Sequence, residues 1–119
     1  MAARKPVEKT ISVGLTSKIL RTVPLKEAFY FYVDIGKYDG KSAGSLADFS
    51  EKLKTVHLKS VEFHFKRGDF ERWIRETLSD EYLANGIGRI DKSVRGEALR
   101  TAIQRTVENR LNYLNQSEK

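Results

Sequence analysis

At 119 residues the chain has room for one domain with a core of its own. It has no Cys, which excludes disulfides, thiolate nucleophiles and Cys-ligated zinc; its two His residues leave little for a His-based metal site, and no apolar run approaches the ~20 residues of a membrane span. The net charge of +6 is unevenly placed: residues 1–24 hold Arg4, Lys5, Lys9, Lys18 and Arg21 against Glu8, whereas both signs interleave over the remainder.

Residues 1–10 lack any apolar pattern and lack the apolar core of a secretory signal, so the expected compartment is the cytoplasm. The stretch TISVGLTSKIL is ambiguous, with Ile11, Val13 and Leu15 alternating as in a strand and Gly14 weakening that reading. After Pro24, EAFYFYVDI is apolar at both parities over a short length, the signature of a buried strand. GKYDGKSAG reads as a loop, punctuated by Gly36, Asp39-Gly40 and Gly44. Ser45 is placed to cap a helix carrying Leu46, Phe49 and Leu53 on one face, with Asp48 in its first turn. Ser60 is a further candidate cap. Over 60–66 the alternation of Val61, Phe63 and Phe65 with Glu62, His64 and Lys66 suggests a strand, against the rival of a capped short helix. Asp69 then caps a helix with Phe70, Trp73, Ile74 and Leu78 on one face. Ser79-Asp80-Glu81 opens another that carries Tyr82, Leu83 and Ile87. A long helix from Ser93 or Val94 to about Asn115 bears the stripe Leu99, Ile103, Val107, Leu111 and Leu114.

Several motifs point toward chemistry and stop short of it. Gly36, Gly40, Lys41, Ser42 and Gly44 approach a phosphate-binding loop, but only three residues separate the first glycine from Gly40-Lys41-Ser42 where four are needed, so a tight turn into a capped helix is preferred. Anion contact near the Ser45 helix start stays open. His57, Glu62 and His64 do not have the spacing of a helical zinc pair, and no metal site is expected. His64 and Asp69 suit a hydrogen-bonded pair in which the carboxylate orients the imidazole; with no nucleophile evident, a tethered, buried His is preferred over a general base. Asn85-Gly-Ile-Gly-Arg-Ile is a weak match to the turn that grips a DNA phosphate between two helices, with Arg89 and Lys92 beside it. If one parity of Phe29, Tyr30, Phe31 and Tyr32 faced outward beside Lys37 and Lys41, it would form a stacking platform for single-stranded bases; a core strand is the plainer reading. Arg95, Arg100, Arg105 and Arg110 recur every five residues, so they spiral around the last helix and read as a solvated surface.

Three stretches, AFYFYVDIGKYDGKSAGSLADF, SVEFHFKRGDFERWI and GEALRTAIQRTVENRL, occur in this order, with SDEYLA between the last two. On these residues the run from Leu25 to Asn115 resembles an uncharacterised prokaryotic domain family, best represented in archaea, to which no activity is assigned. In that family the Phe-His-x-x-Arg segment is helical, which implies helix for 60–66 here. Members tend to have Gly before the Asp-Glu, where this chain has Ser79.

The expected fold is a mainly α domain: a compact helical body over 25–115 with one or two short N-terminal strands and a long C-terminal helix. A basic arm over 1–24, partly disordered or extended, precedes it, and a disordered end over 116–119 follows. The expected function is a non-catalytic binding module that engages nucleic acid or a ribonucleoprotein such as the ribosome through Arg4, Lys5, Lys9, Lys18 and Arg21. Lys37, Lys41, Ser42, His64 and Arg67 are further candidate anion or ligand contacts. No cofactor and no membrane partner are expected. The alternative is a protein–protein adaptor, and a third reading places an enzyme or ligand sensor around His64, Arg67 and Asp69.

Overall fold

The computed structural model describes residues 12–117. Among these it contains six α-helices and a two-stranded antiparallel sheet, in the order α1 (Val13–Leu20), β1 (Phe29–Asp34), β2 (Lys37–Ala43), α2 (Leu46–Leu53), α3 (Leu58–Arg67), α4 (Asp69–Glu76), α5 (Glu81–Gly88) and α6 (Gly96–Ser117). The fold is therefore mainly α. No helix among the described residues is long and apolar enough to cross a membrane.

The alternating residues Val13 and Leu15 lie in a helix, not a strand, and Ile11 falls outside the described residues. Ser12 caps α1 by accepting the Leu15 N–H at 2.9 Å, and Thr16 and Ile19 face inward while Val13 and Leu15 stay exposed. Residues 60–66 are helical and do not form the strand that the alternation suggests, and His64 and Phe65 are buried on the same face as Val61. The cap of this helix is His57, which accepts the Lys59 N–H at 3.0 Å. Ser60 lies inside the first turn instead, fully buried, because that position faces the core.

GKYDGKSAG is not a loop. Its residues from Lys37 to Ala43 form β2, paired with β1 in the register Phe29↔Ala43, Tyr30↔Ser42, Tyr32↔Tyr38 and Asp34↔Lys37. The register is broken: the step from Tyr30 to Tyr32 is matched by the longer step from Ser42 to Tyr38, and Gly40, at φ +87°, lies within that irregular stretch. Glycine and aspartate thus mark a bulged strand here, whose pairing comes from β1 and not from its own propensity.

Gly68 separates α3 from α4. At φ +74° it is left-handed, and its N–H bonds back to Phe65 O at 3.1 Å while its C=O accepts the Arg72 N–H at 3.1 Å. Gly68, not Asp69, is the residue preceding α4, so Asp69 is the first residue of that helix and its carboxylate is used elsewhere. α6 begins at Gly96, slightly later than the apolar pattern suggests, since Asp91 and Ser93 are occupied in a turn of their own through a 2.8 Å bond from Ser93 N–H to Asp91 Oδ1.

The core is one cluster. Phe29 is its aromatic centre, with ring centroids 4.9 Å from Phe31, 5.2 Å from Phe70, 5.6 Å from Trp73 and 5.7 Å from Phe49. Ile19 of α1, Leu46 and Leu53 of α2, Ile74 and Leu78 from α4 and its end, and Leu99, Ile103, Val107 and Leu114 of α6 complete it. Leu111, the fifth member of the α6 stripe, is only partly buried. Two long-range bonds tie the N-terminal region to α4 and its end: Trp73 Nε1–H donates to Glu27 O at 2.8 Å, and Arg21 Nη2–H to Thr77 O at 2.8 Å.

Candidate nucleic-acid interface

β1 sorts its aromatics by parity, as a strand must. Phe29 and Phe31 are buried; Tyr30, on the opposite face, is exposed and Tyr32 is half-buried. Tyr38 of β2 joins them, with ring centroids 5.9 Å from Tyr30 and 5.6 Å from Tyr32. Three tyrosines therefore stand together on the side of the hairpin turned away from the core.

This face opens onto a groove of ≈ 660 Å³ between the hairpin and the α3–α4 junction. Tyr30, Tyr32, Asp34 and Ile35 line it from the hairpin; Phe63, His64 and Arg67 line it from α3; Asp69, Arg72, Trp73 and Glu76 line it from α4. Helical spacing explains the second wall: Asp69 and Arg72 are three apart and share a face.

Asp69 is the hub of the groove's charges. Its Oδ2 lies 2.8 Å from His64 Nδ1 and accepts Arg67 Nε–H at 3.0 Å, and its Oδ1 accepts Arg72 Nη1–H at 2.8 Å. Burial pushes this carboxyl up, but the hydrogen bonds from His64, Arg72 and Arg67 together outweigh burial and hold it below its ordinary value.

His64 is committed at both nitrogens. Nε2 accepts the backbone N–H of Tyr32 at 2.8 Å, so Nδ1 must carry the proton that Asp69 receives. Burial lowers the imidazole's pKa, and although Asp69 opposes the shift, the ring stays below its ordinary value. A neutral His64 thus staples α3 to β1 and satisfies a strand amide. The expected His64–Asp69 pair is present, but neither ring nitrogen is left over to take a proton from a substrate.

The remaining sequence-predicted residues fall in several places. Lys37, Lys41 and Ser42 are on β2, outside the groove lining, with Ser42 opposite Tyr30 and Lys37 opposite Asp34. Lys41-Ser42 is strand, so no amide cradle forms there. At the start of α2, Ser45 Oγ accepts the Asp48 N–H at 3.1 Å and Asp48 Oδ2 accepts the Gly44 N–H at 3.1 Å, leaving that terminus served by its own side chains. Arg4, Lys5 and Lys9 lie outside the described residues. Lys18 is exposed on α1, and Arg21 donates Nη1–H to Lys18 O at 2.6 Å as well as Nη2–H to Thr77 O.

Gly86-Ile87-Gly88 is the last turn of α5, not a turn between helices. Its glycines permit close packing: a Cβ on Gly88 would stand 2.8 Å from Glu71 Oε2, and one on Gly86 3.3 Å from Thr106 Cγ2. Sequence reasoning missed Tyr38, Arg72, Asp34 and Glu76. The i, i+3 spacing of Asp69 and Arg72 was the available signal for one of them; the others needed the hairpin register and the packing of α4.

No family model, curated protein or solved structure matches this chain.

Proposed function

We propose that this chain is a non-catalytic module that binds single-stranded nucleic acid, free or within a ribonucleoprotein particle, on the tyrosine face of its hairpin. The observation that carries this reading is the grouping of Tyr30, Tyr32 and Tyr38 beside an open aromatic groove. Stacked bases gain about 1–3 kcal/mol each on such rings, and every base has a face to offer. Lys37 and Lys41 on the adjoining strand, which make no ion pair among the described residues, supply cations for the phosphates, whereas Arg67 and Arg72 are already paired with Asp69. The net charge of +6, enriched in the segment that holds Arg4, Lys5, Lys9 and Lys18, favours approach of a polyanion. Asp34 and Glu76, which make no ion pair among the described residues, would act in the groove as acceptors for exocyclic amino groups of bases.

Fluorescence anisotropy with labelled 12-nucleotide single strands and the matching duplex tests the reading. Single strands are expected to bind more tightly than duplex, with affinity falling linearly on a log–log plot against salt. The double variant Tyr30→Ala/Tyr38→Ala is expected to weaken binding roughly tenfold or more, from the stacking magnitudes above. Unchanged affinity in that variant, or salt-insensitive binding, would overturn the proposal.

The adaptor reading is favoured by one separate observation. Ile35 at the groove and Leu25 nearby in sequence are 77% and 78% exposed, apolar side chains that a partner protein would cover. A protein that co-purifies after nuclease treatment and is lost in Ile35→Asp would support it.

A further inference from the structure

A second cleft, of ≈ 420 Å³, lies between α5 and α6, and its chemistry differs from that of the groove. Arg89 and Arg110 line it together with Tyr82, Tyr113 and Asn109, and no acidic residue does. Arg110 is 7% exposed and is held on several sides. Its Nε–H and Nη2–H donate to Asp80 Oδ2 and Oδ1 at 2.9 and 3.0 Å, and its guanidinium lies 4.7 Å from the Tyr82 ring centroid and 5.5 Å from that of Tyr113. Asp80 is itself fixed, because its Oδ1 also accepts the Leu83 N–H that opens α5. The guanidinium therefore cannot swing, and the entropy of ordering it is already spent. Its remaining nitrogen, Nη1, has no hydrogen-bond partner among the described residues. Arg89 makes no ion pair among them either.

We infer that this cleft is a binding site for a phosphate group. Asp80 balances the charge of Arg110, so the uncompensated cation of the cleft is Arg89, and an anion entering it meets two guanidinium donors with no carboxylate on the lining. Guanidinium forks match phosphate geometry, and a phosphate monoester offers three acceptor oxygens where a carboxylate offers two. Tyr82, 64% exposed, leaves an aromatic edge at the mouth for the group that carries the phosphate. A free phosphate compound and the 5′-phosphate of a nucleic-acid strand share this chemistry. The site stands on observations separate from those behind the tyrosine face and does not depend on that reading.

The test is a titration of the full chain, ¹⁵N-labelled, with inorganic phosphate, followed in two-dimensional NMR at constant ionic strength. Saturable shifts are expected at the Arg89 and Arg110 Nε–H signals and at the Gly86 amide. Arg89→Gln, an exposed change that leaves the Asp80–Arg110 pair intact, is expected to weaken binding about tenfold. Titrations with AMP and with 5′-phosphorylated and 5′-hydroxyl oligonucleotides distinguish the sources: a preference for the phosphorylated strand at these same signals assigns the site to strand ends, and equal response to AMP assigns it to free phosphate compounds. Shifts that grow linearly without saturation, or that are the same in Arg89→Gln, would overturn the inference.

Discussion

Replacing Arg110 with Met should be among the most damaging single changes in α6, although its sequence spacing marks it as a solvated arginine. The Asp80 carboxylate is 1% exposed and accepts three hydrogen bonds, two of them from Arg110. Arg110→Met removes those two and leaves a buried anion with the Leu83 N–H alone. Breaking one partner of such a pair costs about 3–5 kcal/mol, because the stranded charge keeps its desolvation penalty. Loss of the two ring contacts adds roughly 0.5–1 kcal/mol each. Against a stability of about 5–15 kcal/mol for a domain this size, the variant should unfold at markedly lower denaturant. The double variant Asp80→Ser/Arg110→Met removes the charge and keeps a hydroxyl to cap α5. It should be more stable than Arg110→Met alone, with a coupling of at least about 2 kcal/mol in the cycle. Urea unfolding followed by Trp73 fluorescence measures all four species. Equal or additive losses, with the double variant no better than Arg110→Met, would refute the claim that a stranded carboxylate is the source of the damage.

Three further outcomes follow from His64, from Asp69 and from the backbone at Ser79. Burial holds the His64 pKa below its ordinary 6.5, so the unfolded chain binds a proton there before the folded chain does. Stability should therefore be full at pH 7 and decline as pH falls from about 6.5 toward the lowered folded value, with a slope no steeper than about 1.4 kcal/mol per pH unit for one proton. A second decline begins below 3.8 as Asp69, whose folded pKa is depressed, is protonated. Denaturant midpoints across pH 4.5–7.5 for the parent and His64→Gln check the first part; an equal slope in both would show that His64 is not its source. Ser79 is left-handed at φ +68°, a conformation that costs an L-residue about 1–2 kcal/mol, partly offset by the extra chain entropy a glycine carries when unfolded. Ser79→Gly should raise the thermal midpoint, with a gain of up to about 1 kcal/mol; a lower midpoint would mean that the serine side chain contributes something the backbone angle does not reveal.

Much of the helical architecture was legible locally. Ser45 and Asp80 sit where capping chemistry places them, and the stripes on α2, α4 and α6 bury the residues that a 3.6-residue period selects, Leu111 only partly. Ser79 shows the limit of that legibility: it is the one non-glycine residue with positive φ among the described residues, and no local pattern of residues marks it. Where two local signals competed, periodicity alone misled. At 60–66 the alternating apolar residues are helical, and Val61, His64 and Phe65 are buried because they fall on one helical face.

By itself the sequence determined most of the helix-forming periods, the caps at Ser45 and Asp80, the charge asymmetry and the absence of thiol chemistry, since each depends on neighbours a few residues apart. Tertiary structure alone decided the rest. β2 is a strand because β1 supplies hydrogen bonds that Lys37–Ala43 cannot provide for themselves, and that pairing brings Tyr38 to Tyr30 and Tyr32. His64 is neutral because a strand amide thirty-two positions away occupies its Nε2. Arg110 is buried because Asp80, thirty positions away, meets it across α5 and α6. In each case the deciding partner is distant in the chain, and a residue's charge state or exposure follows from what it meets in space and not from its type.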